Sequence, residues 1–342
     1  MALVWIDGFD GYTTSYNWPS YTSRVNIGLE TNSSNTPFSS GYVITGGDGS
    51  YLQYTLSSPS QTVIVGYHRA YTYNAGGEYN VLKFFEDTTC HVSIKQTYNA
   101  GKVTYKAYRG DAATLLGSSD QIDYEYKVYR WITYKVVISD TNGSISIKYD
   151  GSFILNLTGI DTRNGGTSGL IDNVYVYPGG LMFDAWLDNL HIMDGSGTSY
   201  NDHIGEHRVY YEVPNADGSY NDFTASGGNR YECVDEIPPN GDSDYVYSST
   251  SGHKQSFSTG TISGLPSTIG GVKVVAVARK DDAGTLTFRL INKQGSSYYA
   301  GNSNSPSSSY LFYQKFWPTN PATSSAWTQS EADSCEIGVV ID

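Results

Sequence analysis

Cysteine is scarce in this chain. Only Cys90, Cys233 and Cys335 occur among 342 residues, far apart and odd in number, so no complete disulfide framework can be written and synthesis in a reducing cytoplasm fits best. Helical periodicity is missing as well: nowhere does an apolar spacing of three and four persist for a dozen residues, which excludes a helix bundle. Apolar runs such as Val272 to Ala278 fall far short of the roughly 20 residues that cross a bilayer as a helix, so no membrane insertion is expected. The first residues lack the basic start and apolar core of a signal peptide. Positive charge is thin: 21 Lys and Arg stand against 34 Asp and Glu, a formal charge of -13 that repels phosphate backbones and anionic lipid, so nucleic acid is not an expected partner.

Catalytic signatures are missing too. No Gly-x-Ser-x-Gly elbow, phosphate loop, Cys-x-x-Cys pair or dinucleotide fingerprint occurs. Sandwich glycoside hydrolases carry their carboxylates on one strand as Glu-x-Asp-x-x-Glu, and that string is absent. Asp123 and Glu125 share a strand face without a third member, and Glu86 with Asp87 fares no better. The string His203-Ile-Gly-Glu206-His207 matches an inverted zinc-protease pattern, but Gly205 sits inside the would-be helix and VYYEV reads as a strand behind it, so the segment is read as a surface loop joining two domains. The expectation is a protein that is not an enzyme, with no catalytic, cofactor-binding or metal residues assigned. Calcium has the least weak candidates, because Asn240, Asp242 and Asp244 alternate in one loop and Asp194 opens another with Ser196 and Thr198; neither has full EF-hand spacing, and turn-making explains both. Asn32, Asn142 and Asn156 match the N-glycosylation pattern and read equally well as turn residues.

What is there is β-structure: 31 Tyr, 37 Gly and abundant Ser and Thr, arranged in short alternating runs between turn signals. The clearest unit is WITYKVVISDTNGSISIKYDGSFILNLTG, where Asn142-Gly143 and Asp150-Gly151 supply positive φ for tight hairpins. Ile132, Tyr134, Val136 and Ile138 should share one face with Ile145, Ile147, Tyr149, Phe153, Leu155 and Leu157, and such an apolar side demands a second sheet. Further hairpins are expected around Gly46-Gly47-Asp48-Gly49, around Asn74 to Gly77 between TVIVGYHRAYTY and EYNVLKFFED, and around Asn99-Ala100-Gly101. The stretch FDAWLDNLHIMD, from Phe183 to Asp194, pairs with the N-terminal WIDGFDGY and closes the first domain; Trp186, Asp188, Leu190 and Ile192 fall on one face, and Asp188 is expected to satisfy backbone donors at a bulge. The tyrosines of YHRAYTY could stack on sugar, although packing across strands is the commoner use. Beyond the glycine and serine cluster near residue 195, HRVYYEV reads as a strand before a turn at Asp217-Gly218, VKVVAVARK and TLTFRLI as a hairpin with Leu286, Phe288 and Leu290 inward, and SAWTQSEADS as the one helix. The fold class is all-β: two β-sandwich, jelly-roll-like domains over 1–197 and 209–342 with a linker at 198–208 and at most one or two short helices.

WIDGFDGY, DTNGSISIKYDG and FDAWLDNLHIMD together resemble the laminin-G-like or concanavalin-like lectin fold, in which first and last strands are neighbours. GEHRVYYEVPNADGSYNDFT, VDEIPP, DSDYVYSST, ARKDDAGT and NPATSSAWTQSEADSCEIGVV resemble phrases of virion structural proteins of tailed bacteriophages. That resemblance implies a non-enzymatic structural protein of the virion, made in the host cytoplasm and displayed as a capsid-decorating, tail or fibre component. Its implied partners are other virion proteins and copies of itself, as a homotrimer or ring. The alternative is a carbohydrate-binding host-adhesion module whose partner is a host-surface glycan.

Overall fold

The computed structural model describes residues 3–12, 21, 23–31, 42–71, 76–123, 125–179, 185–197, 199–261 and 268–342. The chain divides into two compact units, Met1–Phe9 with Tyr21–Val209 and Asp10–Ser20 with Tyr210–Asp342. Beside the expected linker at 198–208, this division keeps the residues up to Val209 with the first unit.

The first unit contains β1 (Leu3–Asp7), β2 (Ser23–Thr31), β3 (Tyr42–Ser60), β4 (Thr62–Tyr71), β5 (Gly77–Glu86), β6 (Thr89–Asn99), β7 (Lys102–Arg109), β8 (Thr114–Ser118), β9 (Ile122–Asp123), β10 (Arg130–Val137), β11 (Gly143–Tyr149), β12 (Ser152–Ile160), β13 (Ile171–Val176) and β14 (Ala185–Met193). The main path runs β12-β11-β10-β4-β14-β3-β13-β5-β6-β7-β8, with β1 on β14 as expected of first and last strands. Ile132, Tyr134 and Val136 lie opposite Tyr149, Ile147 and Ile145, so alternation builds the expected apolar face. The sheet then folds over on that face. Tyr67 and Tyr71 of β4 meet Tyr134 of β10 and Tyr105 of β7, with hydroxyls 3.1 Å apart for Tyr67 and Tyr134 and 2.7 Å for Tyr71 and Tyr105. β4 and β10 thus form one layer and β7 belongs to the facing one. Arg69 is fully buried in this tyrosine core, its guanidinium 5.1 Å from the Tyr71 ring centre.

Several expected connections are different. Gly46 to Gly49 make no hairpin: β3 continues through them, and residues 47–50 form a bulge where Asn26 alone stands opposite. β4 and β5 do not pair; β4 lies between β10 and β14, and β5 between β13 and β6. A turn signal marks where a strand ends, and the next strand here joins β13 and β6 in place of β4. Phe153 is 55% exposed because a register shift between Ile147 and Lys148 sets it opposite Lys148, whose ammonium lies 4.5 Å from its ring. The face shared by Trp186, Asp188, Leu190 and Ile192 is split by a bulge: Trp186 and Asp188 oppose Ala70 and His68, whereas His191 and Ile192 oppose Gly66 and Val65. Asn189, at φ 56°, is where the alternation inverts.

The second unit has β15 (Pro214–Asn221), β16 (Thr224–Ala225), β17 (Val246–Tyr247), β18 (Lys254–Thr259), β19 (Val272–Ala278), β20 (Phe288–Gln294), β21 (Ser297–Ala300), β22 (Leu311–Trp317), α1 (Gln329–Ser334) and β23 (Glu336–Ile341). A five-stranded sheet β15-β18-β23-β20-β21 faces the β19-β22 ribbon across Val274, Phe288, Leu290, Trp317 and Trp327. The expected β19-β20 hairpin is therefore wrong. Val274 and Phe288 meet across the core, while β19 pairs with β22 and β20 with β21 and β23. Leu286 precedes the strand and is 39% exposed. HRVYYEV is not a strand, and Asp217-Gly218 lies within β15 at an irregular register in place of a turn. The helix forms where Thr328 and Glu331 make a reciprocal capping box.

Candidate functional site

The bulge at Asn189 determines what the outer face of the β14-β4-β10-β11 layer presents. Opposite the tyrosine core, this face carries His191, Gly66, His68, Trp131, Thr133 and Ser146. Asp188 Oδ1 accepts from the Asn189 N–H at 2.6 Å, a backbone donor at the bulge. His191 lies over Gly66 so closely that a Cβ there would stand 2.1 Å from its Cε1. Trp131 packs among imidazoles, its ring centre 4.8 Å from that of His68, to which it is tilted by 52°, and 5.2 Å from that of His191, on which it stacks.

Residues 202–209 cross this face as a strap without regular structure. His203 bridges two hydroxyls, Nδ1 to Thr133 Oγ1 and Nε2 to Ser146 Oγ, each at 2.7 Å. Such a bridge suits a neutral imidazole with one donor and one acceptor. Burial pushes His203 down to about 4 against the pull of Asp202. Asp202 pairs with Lys135 at 3.0 Å, His207 stacks on Trp131, and the Val209 N–H donates to Asn189 Oδ1 at 2.6 Å. The bulge residue thus ties down the end of the strap.

At one side of the strap opens a cleft of about 480 Å³ lined by His68, Tyr129, Arg130, Trp131, Asp150, Gly151 and Glu206. Asp150 and Gly151 form the β11-β12 turn with φ of 47° and 81°. Asp150 Oδ1 accepts from the Trp131 N–H at 3.0 Å, and Oδ2 accepts from Arg130 at 3.0 Å; Arg130 also pairs with Glu125. Burial pushes His68 down to about 4 despite Glu206, so at neutral pH its Nε2–H donates to Glu206 Oε1, 3.2 Å away, as a neutral group. Tyr129 stacks on Trp186 at 6.4 Å. The cleft joins the half-buried ring of Tyr129 to carboxylate acceptors, while Trp131, 4% exposed, is enclosed by imidazoles; the set suits a ligand that has both apolar faces and hydroxyls.

The residues singled out in the sequence go elsewhere or change role. His203 and His207 are engaged by different partners along the strap, so no helix presents them together. Among the described residues no group of three His, Cys, Asp or Glu is placed to hold a metal ion. Asp123 pairs with Lys102 and Glu125 with Arg130, each carboxylate held by its own cation. Glu86 is buried: burial works to raise its pKa, but N–H donors from Ser168 and Gly169, the Ser168 hydroxyl and His91 hold it down at about 2. Asp242 accepts from Arg279 and Tyr310, Asn240 bonds Asp244, and Asp194 caps Ser196; Thr198 lies outside the described residues. Tyr67 and Tyr71 of YHRAYTY are core residues, and His68 between them faces the cleft. Trp131, Asp150 and Glu206 carried no sequence signal as a set, because only the pairing of β4, β10 and β11 gathers them.

No protein-family model matches the chain, and no curated protein matches it in sequence. Among solved structures, alginate lyase Aly36B is 16% identical over 48% of this chain and 86% of its own, with a TM-score of 0.34. The cellulose induced protein Cip1 is 12% identical over 60% of this chain and 100% of its own, at 0.36. The CBM2 module of the evolved Dit of Lactobacillus casei BL23 phage J-1 is 12% identical over 56% of this chain and 96% of its own, at 0.37. Likenesses this distant carry no functional argument.

Proposed function

We propose that this chain is a non-enzymatic structural protein of a tailed-phage virion, displayed as a capsid-decorating, tail or fibre component, and that its first unit serves there as a carbohydrate-recognising module. The observation that carries the carbohydrate reading is the cleft beside Trp131, where Tyr129 and Trp131 stand next to Asp150, Glu206 and His68. A sugar offers hydroxyls that donate and accept together with a C–H face that packs on rings, and this lining answers both. The particle-level reading is supported by the virion-like phrases in residues 205–245 and 276–340 and by an acidic, all-β chain built of separate units. Its partners are then other virion proteins and copies of itself, the homotrimer or ring that virion symmetry favours.

Two measurements test the two halves. Mass spectrometry of purified virions should find the chain, and its absence there sinks the virion reading. A glycan array probed with the purified protein, with and without calcium, should show binding that Tyr129→Ala with Glu206→Ala weakens by at least about tenfold, as loss of a central aromatic contact does. A correctly folded protein that binds no glycan removes the carbohydrate reading.

A further inference from the structure

The charges around the cleft say which sugars fit. Arg130 is the one formally cationic side chain in the lining, and both ends of its guanidinium are taken, one by Asp150 and the other by Glu125. A guanidinium recognises a carboxylate by presenting its fork of N–H donors, and here each terminal nitrogen already faces a carboxylate of this chain. His68 offers no replacement, since its ring is neutral at pH 7 and its Nε2–H points to Glu206. Arg208 lies just outside the lining with a guanidinium nitrogen 3.6 Å from Glu206 Oε1. The lining therefore contains two carboxylates against a single, internally paired cation. Glu206 is half exposed, lines the cleft and makes its contacts with His68 and Arg208 through Oε1. The chain as a whole adds to the negative field with its formal charge of -13.

We infer that the cleft selects an uncharged or amino-bearing saccharide and rejects uronates, sialosides and phosphorylated sugars, with Glu206 as the specificity-determining residue; this rests on the carbohydrate reading above. An acidic sugar entering the cleft brings its charge against Asp150 and Glu206, where Arg130 and Arg208 each already face a carboxylate. A neutral sugar donates hydroxyl hydrogens to those same oxygens, and a protonated amino sugar gives Glu206 a charge-assisted bond.

The test is isothermal titration at pH 7 and low salt with neutral, hexosamine and uronate oligosaccharides of matched length, using wild-type protein, Glu206→Gln and Glu206→Lys. Neutral or hexosamine probes should bind wild type at least about tenfold more tightly than the uronate, given the size of unscreened charge repulsion at this range. Glu206→Gln should lower the hexosamine affinity relative to the neutral probe by about tenfold, the difference between a charge-assisted and a neutral hydrogen bond. Glu206→Lys should raise uronate binding. Uronate bound by wild type as tightly as the neutral probe overturns the inference while leaving the carbohydrate reading intact. Folded wild-type protein that binds none of the three probes removes both.

Discussion

Gly66 carries more of the outer face than its size suggests. An added Cβ would stand 2.1 Å from His191 Cε1 and 2.7 Å from its Nε2, and the Thr133 methyl would also stand only 2.9 Å away. Gly66→Ala should therefore cost about 2 kcal/mol by overpacking, read as a lower urea midpoint at unchanged slope. His191→Ala in the same background should recover part of that loss. Equal stability of Gly66→Ala and wild type would contradict the close approach. The tyrosines follow the same logic of position: Tyr67 and Tyr134 are buried with hydroxyls paired, so their phenols stabilise the core and are not available to stack on a ligand. A residue's type told little here; its parity on the strand decided its role.

At the scale of elements, two irregular segments each rely on one side chain among their several anchors. Asn189 combines a left-handed backbone with the bond that holds Val209. Asn189→Gly keeps the conformation and removes the bond, so amide exchange across residues 202–209 should quicken by about tenfold or more, with β10 and β11 protected as before. Unchanged exchange in the strap would show that Asn189 does not anchor it. Residues 164–169 depend on Glu86, whose Oε1 accepts from the Thr167 and Ser168 N–H groups. Glu86→Gln should destabilise the first unit by about 2 kcal/mol at pH 7, because an amide cannot accept at both ends. Since the folded carboxyl is held at about 2 against an ordinary 4.5, its contribution is present above pH 4.5 and is lost as pH falls toward 2. The gap between wild type and Glu86→Gln should close over that range, and a gap independent of pH would refute the assignment.

For the molecule as a whole, acid should be the damaging condition before base. His68 and His203 are pushed down to about 4 and His191 to about 3, in each case by burial first, with neighbouring histidines adding to the shift of His191. A folded-state pKa below the unfolded value of 6.5 means that folding favours the neutral ring. The contribution is complete above pH 6.5 and is lost as pH falls toward 4 and below. The urea midpoint of the first unit should fall between pH 7 and pH 4, and His203→Gln, which keeps a donor and an acceptor, should flatten that fall. A midpoint that rises on acidification would contradict the burial of these rings. The second unit lacks this cluster, so its unfolding should respond to pH mainly through carboxylates such as Glu336, which the Ser256 and Ser219 donors and Lys293 hold down at about 2 against burial.

By itself the sequence determined what depends on near neighbours. Alternation identified β10, β11 and the part of β12 around Leu155 as one apolar face, Asp150-Gly151 as a tight turn, and SAWTQSEADS as the one helix, because each rests on contacts within a few residues. Only the tertiary structure decided which strands lie edge to edge. The strands that follow the turn signals, β5 and β20, do not pair with the strands before them, and alternation cannot tell a strand beside from a strand across. The cleft belongs to this second class: His68, Trp131, Asp150 and Glu206 meet through hydrogen-bond register and one bulge. Inserting one residue in a strand turns every later side chain to the opposite face, and nothing in the local composition of FDAWLDNLHIMD says at which residue that happens.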